Sequence, residues 1–109
     1  DNDCLSATVA ELIGADMLIL LTDTDGLYDG NPSENPEARL IDIVEEITEE
    51  IEAFAGGAGK RGTGGFMTKV KAAKIATSAG IPVVVMNGAD PKKIYDVLNG
   101  ENVGTKFLS

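Results

Sequence analysis

The residues best suited to chemistry lie in the stretch Gly62-Thr63-Gly64-Gly65-Phe66-Met67-Thr68-Lys69. Glycines permit close backbone approach, and the helical pattern that resumes around Met67 would aim unpaired amide donors at an anion in front of it. Lys69, expected in the first turn of that helix, adds a compact charge suited to phosphate oxygens. The spacing is not that of the usual P-loop, so phosphate binding stands beside a plainer reading, a flexible hinge before an ordinary helix. A second group, Thr22-Asp23-Thr24-Asp25-Gly26-Leu27-Tyr28, follows an apolar run that reads as a parallel strand. Ligands of open α/β sheets bind beyond the carboxyl ends of such strands. Asp23 or Asp25 would there accept hydrogen bonds from a ribose or an adenine, or hold a metal through water; an Asp-Gly pair after a strand is most often only a turn. The third group is Asp1-Asn2-Asp3, two carboxylates flanking an amide just before Ser6, a pattern that also caps helices.

These groups need elements to hold them. Leu5, Val9, Leu12 and Ile13 recur at helical spacing and Gly14 supplies a stop, so the chain opens on a helix. Met17 to Leu21 is wholly apolar, the pattern of a strand covered on both faces. Asn31-Pro32 and Asn35-Pro36 mark a loop, Leu40 to Val44 reads as a second strand, and Thr48-Glu49-Glu50 opens a short acidic helix through Phe54. Glycines at 56, 57, 59, 62, 64 and 65 predict a mobile stretch carrying Lys60 and Arg61. A helix from about Met67 runs through Val70, Ala73, Ile75 and Ala76 to a stop at Gly80, and Pro82 to Met86 is another buried strand. Asp90 and Pro91 read as N-cap and first turn of a helix that ends at Gly100 with Ile94, Val97 and Leu98 inside; Thr105 to Leu108 closes the sheet. Helices alternating with apolar strands predict a layered α/β/α fold with a mainly parallel sheet and no repeat or linker.

A length of 109 residues, 43% of them hydrophobic, fits one domain with a modest core. No run approaches the roughly 18 apolar residues of a membrane span, and Asp1-Asn2-Asp3 lacks the basic start of a secretory signal, so a cytoplasmic protein is expected. A lone cysteine, Cys4, excludes an internal disulfide, and the lack of histidine excludes a Ser-His-Asp triad and a zinc centre. Cys4 has no activating neighbour and reads as a small buried residue. A formal charge of −9 opposes nucleic-acid binding, while a single nucleotide remains within reach of backbone donors, one or two lysines and Mg²⁺. Tyr28, Phe54 and Tyr95 are expected to pack, and Glu45 to Glu52 to form a solvated face. The chain starts without methionine on a dense polar cluster, and it reads as the second half of a longer domain.

Taken together and in order, Asp1-Asn2-Asp3-Cys4-Leu5-Ser6-Ala7, Leu20-Leu21-Thr22-Asp23 running to Gly26-Leu27-Tyr28, Asn35-Pro36, Gly62-Thr63-Gly64-Gly65 with Thr68-Lys69, and Gly104-Thr105 resemble the nucleotide-binding half of the amino acid kinase family. That resemblance covers all 109 residues and implies Mg²⁺-ATP as donor, glutamate as acceptor through its side-chain carboxylate, an acyl phosphate product, and a homo-oligomer in the complete enzyme. It implies that Asn2 contacts glutamate, Asp1 shapes the acceptor side, and Asp3 orients the phosphate-binding lysines. Thr22 and Asp23 would hold the nucleotide, Thr63, Gly64, Gly65, Phe66, Met67, Thr68 and Lys69 would wrap its phosphates, and Lys69 would stabilise the transferred group. The family commonly has methionine directly after the double glycine, where this chain has Phe66 before Met67, and a polar or basic residue where it has Cys4. The family's first half, with an early lysine and most of the acceptor pocket, has no counterpart here. Family members that phosphorylate aspartate or acetylglutamate, and a nucleotide-binding module without turnover of its own, are the alternatives; a flavodoxin-like receiver would use Asp23 or Asp25 and leave Gly62 to Lys69 without a role.

Overall fold

Apolar strand runs between helical segments generate eight elements: α1 (Asn2–Ile13), β1 (Leu18–Thr22), β2 (Ile43–Val44), α2 (Glu49–Gly56), α3 (Gly64–Ser78), β3 (Val83–Asn87), α4 (Lys93–Leu98) and β4 (Thr105–Phe107). The computed structural model describes residues 2–56 and 64–109. Asp1 and residues 57–63, with Lys60, Arg61 and Thr63, lie outside the described residues, while Gly56, Gly64 and Gly65 of the expected mobile stretch belong to helices. Among the described residues, no helix is long and apolar enough to cross a membrane.

The strands form one sheet in the order β1-β3-β4-β2. β1 pairs with β3 and β2 with β4 in parallel, while β3 and β4 run antiparallel, so the sheet is mainly parallel as expected. Strand periodicity sorts the layers. Val83 and Val85 of β3 join Ala7, Ala10, Val70, Ala73 and Phe107 in the larger core beneath α1, α2 and α3. Val84 and Met86 point the other way, against Val97 and Ile94 of α4. β3 is thus buried on both faces and is the spine of an α/β/α stack.

Several expectations need correction, each for a physical reason. The strand expected at Met17 to Leu21 begins one residue later, and as an edge strand it is not covered throughout: Leu20 is buried while Leu21 is 46% exposed. The apolar stripe of α1 does not face the core, since Leu5 is 60% and Leu12 79% exposed; the buried positions are Ala7 and Ala10, whose small side chains let α1 approach α3 closely. Only Ile43 and Val44 of the Leu40 to Val44 run form a strand, because Leu40 bridges to Tyr28 instead. α2 begins as expected after Thr48, whose hydroxyl accepts the Ile51 amide at 3.3 Å. Asp90 caps a preceding turn through the Lys92 amide, and α4 starts only at Lys93; this short helix covers the sheet with Ile94 and Val97 and leaves Leu98 and Tyr95 exposed. Cys4 is half-buried rather than buried. The last strand does not close an edge but slots between β3 and β2.

That insertion depends on two adjacent residues. Gly104 has φ +65°, and a Cβ there would stand 2.1 Å from the Val85 carbonyl oxygen. Thr105 is fully buried; its hydroxyl accepts the Leu27 amide at 2.9 Å and donates to the Ile41 carbonyl at 2.6 Å, tying the loop after β1 to the sheet. Gly104→Ala should therefore lower stability by roughly 2 kcal/mol or more, since a strained φ and a backbone clash coincide. Thr105→Val, of equal shape, should cost on the order of 2 kcal/mol by stranding the buried Leu27 amide and the partly buried Ile41 carbonyl, and Thr105→Ser clearly less. Urea unfolding of the three variants checks both expectations.

Candidate functional site

The site begins with a seam between two helices. On α1, Asp3, Ala7 and Ala10 share one face at spacings of four and three; on α3, Lys69, Ala73 and Ala76 do the same, with Ala72 beside them. All five alanines are buried, and the helices pack along each other. The alanines bring the backbones close, so the polar residue heading each stripe meets its counterpart. Asp3 Oδ2 accepts the Thr68 hydroxyl at 2.9 Å and the Lys69 ammonium at 3.1 Å. The pair is largely withdrawn from solvent, Lys69 being 14% and Asp3 23% exposed, so it is screened less than a surface ion pair. An ammonium carries three donors and Asp3 takes one, which leaves Lys69 able to bind a further anion without giving up its partner.

The structure moves two of the expected placements. α3 starts at Gly64, so Gly64, Gly65, Phe66 and Met67 are its first turn, of which the first three supply unpaired amides, while Thr68 and Lys69 lie in the second turn. Asp3 is not a cap for α1; its carboxylate reaches across to α3. Asn2 is exposed in the first turn of α1, and its carbonyl accepts the Ser6 hydroxyl at 2.9 Å.

The second group forms where β1 and β3 end side by side, with Thr22 in register with Asn87. The Gly88 amide donates to the Thr22 carbonyl at 2.8 Å, and Thr22 Oγ1 donates to Asp23 Oδ1 at 3.5 Å. Asn87 was not singled out in the sequence because it terminates an apolar run; the signal was the Asn87-Gly88 pair after a strand, the same signal as Asp25-Gly26. Asp23 is exposed and Thr22 half-buried.

Topology puts both groups at one end of the molecule. α1 is about 18 Å long and is followed, after a four-residue connection, by β1 running back beneath it; α3 and β3 repeat the arrangement. Because β1 and β3 are parallel, the amino ends of α1 and α3 and the carboxyl ends of both strands share an edge, which combines helix amides, one lysine and exposed carboxylates. Such an edge can hold a polyanion at α3 and offer hydrogen-bond acceptors at Thr22 and Asp23.

A family model for the amino acid kinase family matches residues 1–87. A glutamate 5-kinase of Clostridium acetobutylicum is 59% identical over 109 residues, an alignment that covers 99% of this chain and 41% of that relative. Among solved structures, a uridylate kinase of Archaeoglobus fulgidus superposes with a TM-score of 0.71 at 28% identity, covering 96% of this chain and 45% of that one. A carbamate kinase of Giardia lamblia bound to AMP-PNP shares the fold, with a TM-score of 0.73 at 23% identity over 100% of this chain and 35% of that one. The chain thus spans about two-fifths of the length of its Clostridium relative. On the match over residues 1–87 and on the fold, the chain belongs to the amino acid kinase family.

Proposed function

We propose that this chain is the nucleotide-binding part of a glutamate 5-kinase, the ATP-dependent phosphorylation of the glutamate side-chain carboxylate that opens proline biosynthesis. The observation that carries the reading is the Asp3–Thr68–Lys69 cluster at the amino ends of α1 and α3, in a chain 59% identical to an enzyme of that name. Kinship favours glutamate over aspartate or acetylglutamate as acceptor, since relatives from 51% to 59% identical carry that one name. We further propose a cytoplasmic homo-oligomer, as the family resemblance implies.

Phosphoryl transfer asks the protein to position reactants and neutralise charge, not to form covalent bonds. ATP supplies the phosphoryl group, and Mg²⁺ would accompany it as a cation carried on its phosphates. The first-turn amides of α3 bind phosphate oxygens, with Thr63, Gly64, Gly65, Phe66 and Met67 as the surrounding wall. Lys69 neutralises charge that grows as the phosphoryl group departs, and Asp3 keeps the ammonium in place beforehand, so little reorganisation is needed at the moment of transfer. Thr22 and Asp23 hold the nucleoside end. Asn2, exposed beside Asp3, donates its amide to the acceptor carboxylate, with Asp1 shaping that side.

A second reading applies to the chain by itself. It spans 41% of its Clostridium relative, and an acceptor held only by residues at the start of α1 cannot be kept at about 3 to 3.5 Å from the phosphorus. The isolated 109 residues should bind Mg²⁺-ATP yet show no glutamate-dependent ATP consumption. Amide shifts during a Mg²⁺-ATP titration should centre on Gly64 to Lys69 and on Thr22 and Asp23; shifts confined to Glu45 to Glu52 would sink the nucleotide reading.

Exchanging the matching segment of the Clostridium enzyme for this chain should preserve formation of γ-glutamyl phosphate, captured as the hydroxamate. In that chimera Lys69→Ala should cut turnover by about a hundred- to thousand-fold while changing the KM for ATP much less. An unaltered turnover number removes Lys69 from the mechanism.

A further inference from the structure

We infer that Asn87 is a positioning residue for the nucleotide, acting through Asp25 to hold the turn that follows β1; the inference rests on Thr22 and Asp23 being the nucleoside side of the site. The turn from Asp23 to Gly26 has no regular backbone hydrogen bonding; the Thr24 hydroxyl donates to the Gly26 carbonyl at 3.3 Å, and Asp23, Thr24 and Asp25 are exposed. It is fixed at its start, where the Thr22 carbonyl accepts the Gly88 amide, and at its end, where the Leu27 amide meets the buried Thr105 hydroxyl. Between these anchors stands Asn87. Its Nδ2 donates to Asp25 Oδ1 at 3.3 Å, and its Oδ1 accepts the Ala89 amide at 2.8 Å.

One short side chain therefore links the turn after β1 to the turn after β3, and it does so with both ends of an amide. The bond from Ala89 orients the group so that the NH₂ faces Asp25. Aspartate at this position would keep the acceptor, lose the donor and set two like charges together; alanine would lose both bonds. The turn after β3 starts close against β1, since a Cβ at Gly88 would come within 3.2 Å of the Leu21 Cβ. Without the brace, a nucleotide must order the 23–26 turn as it binds, and that ordering is subtracted from its affinity. Lys69 and Asp3 lie on the helices and not on this turn, so the step that moves charge is spared.

The test is a double-mutant cycle on nucleotide affinity, measured calorimetrically with Mg²⁺-ATP and Mg²⁺-ADP on the full 109-residue chain. Asn87→Ala and Asp25→Ala should each weaken binding by about three- to tenfold, equally for both nucleotides, and the double variant should bind no worse than the weaker single one. In the Clostridium chimera both should raise the KM for ATP and leave turnover within twofold. Asp25 is exposed, so Asp25→Ala keeps its fold even if Asn87→Ala does not. Unchanged affinity in Asp25→Ala, or single losses that multiply in the double variant, overturns the brace. Failure of the unaltered chain to bind either nucleotide overturns the nucleotide reading and this inference with it, whereas normal binding with indifferent variants overturns this inference alone.

Discussion

The arrangement turns on how close two helices can come. A carboxylate on α1 and an ammonium on α3 meet at 3.1 Å where the buried residues Ala7, Ala10, Ala73 and Ala76 let the two helices pack closely. A bulkier residue at any of these sites would separate the axes, and two charges that are now mutually compensated would each face partial burial without a partner. Packing and electrostatics are therefore one constraint here. The hydrophobic contribution of each alanine is small, yet together they set the distance at which Asp3 acts on Lys69.

The same division of labour runs through the sheet. β3, buried on both faces, carries no functional side chain until its final residue, and β1 carries none until Thr22. Rigid apolar strands end where the polar groups begin, so the exposed turns start from fixed points. Thr105, deep in the structure, extends that rigidity outward by holding the Leu27 amide, and so a buried hydroxyl at the far end of the sequence sets the limits of a surface turn near its beginning.

Much of this was legible in the sequence. The order of helices and strands, the three polar groups and their common association with strand ends and helix starts all follow from local pattern. What escaped was whatever depends on neighbours distant in the chain. The stripe of Leu5, Val9, Leu12 and Ile13 dominates any periodicity, whereas the face that packs is marked only by alanines, which carry little hydrophobic signal. Gly64 and Gly65 have low helix propensity, so local pattern starts α3 near Met67 and puts Lys69 one turn too early; tertiary packing on α1 overrides that preference. The brace at Asn87 was invisible because its partner, Asp25, becomes a neighbour only through strand pairing.

The interior position of β4 has a consequence for how the chain is made. β2 has β4 as its sheet partner, and β4 follows the other three strands in the chain. Until residues 105–107 emerge, β3 and β2 present open strand edges with no neighbour between them, and β1 and β3 alone make a two-stranded ribbon of marginal stability. The sheet can therefore be completed only after residues 105–107 have been made, when β4 enters the gap between β3 and β2. A nascent chain halted before Thr105 exposes the apolar edge of Val83 to Val85 and is a substrate for chaperones or for aggregation rather than a smaller working module.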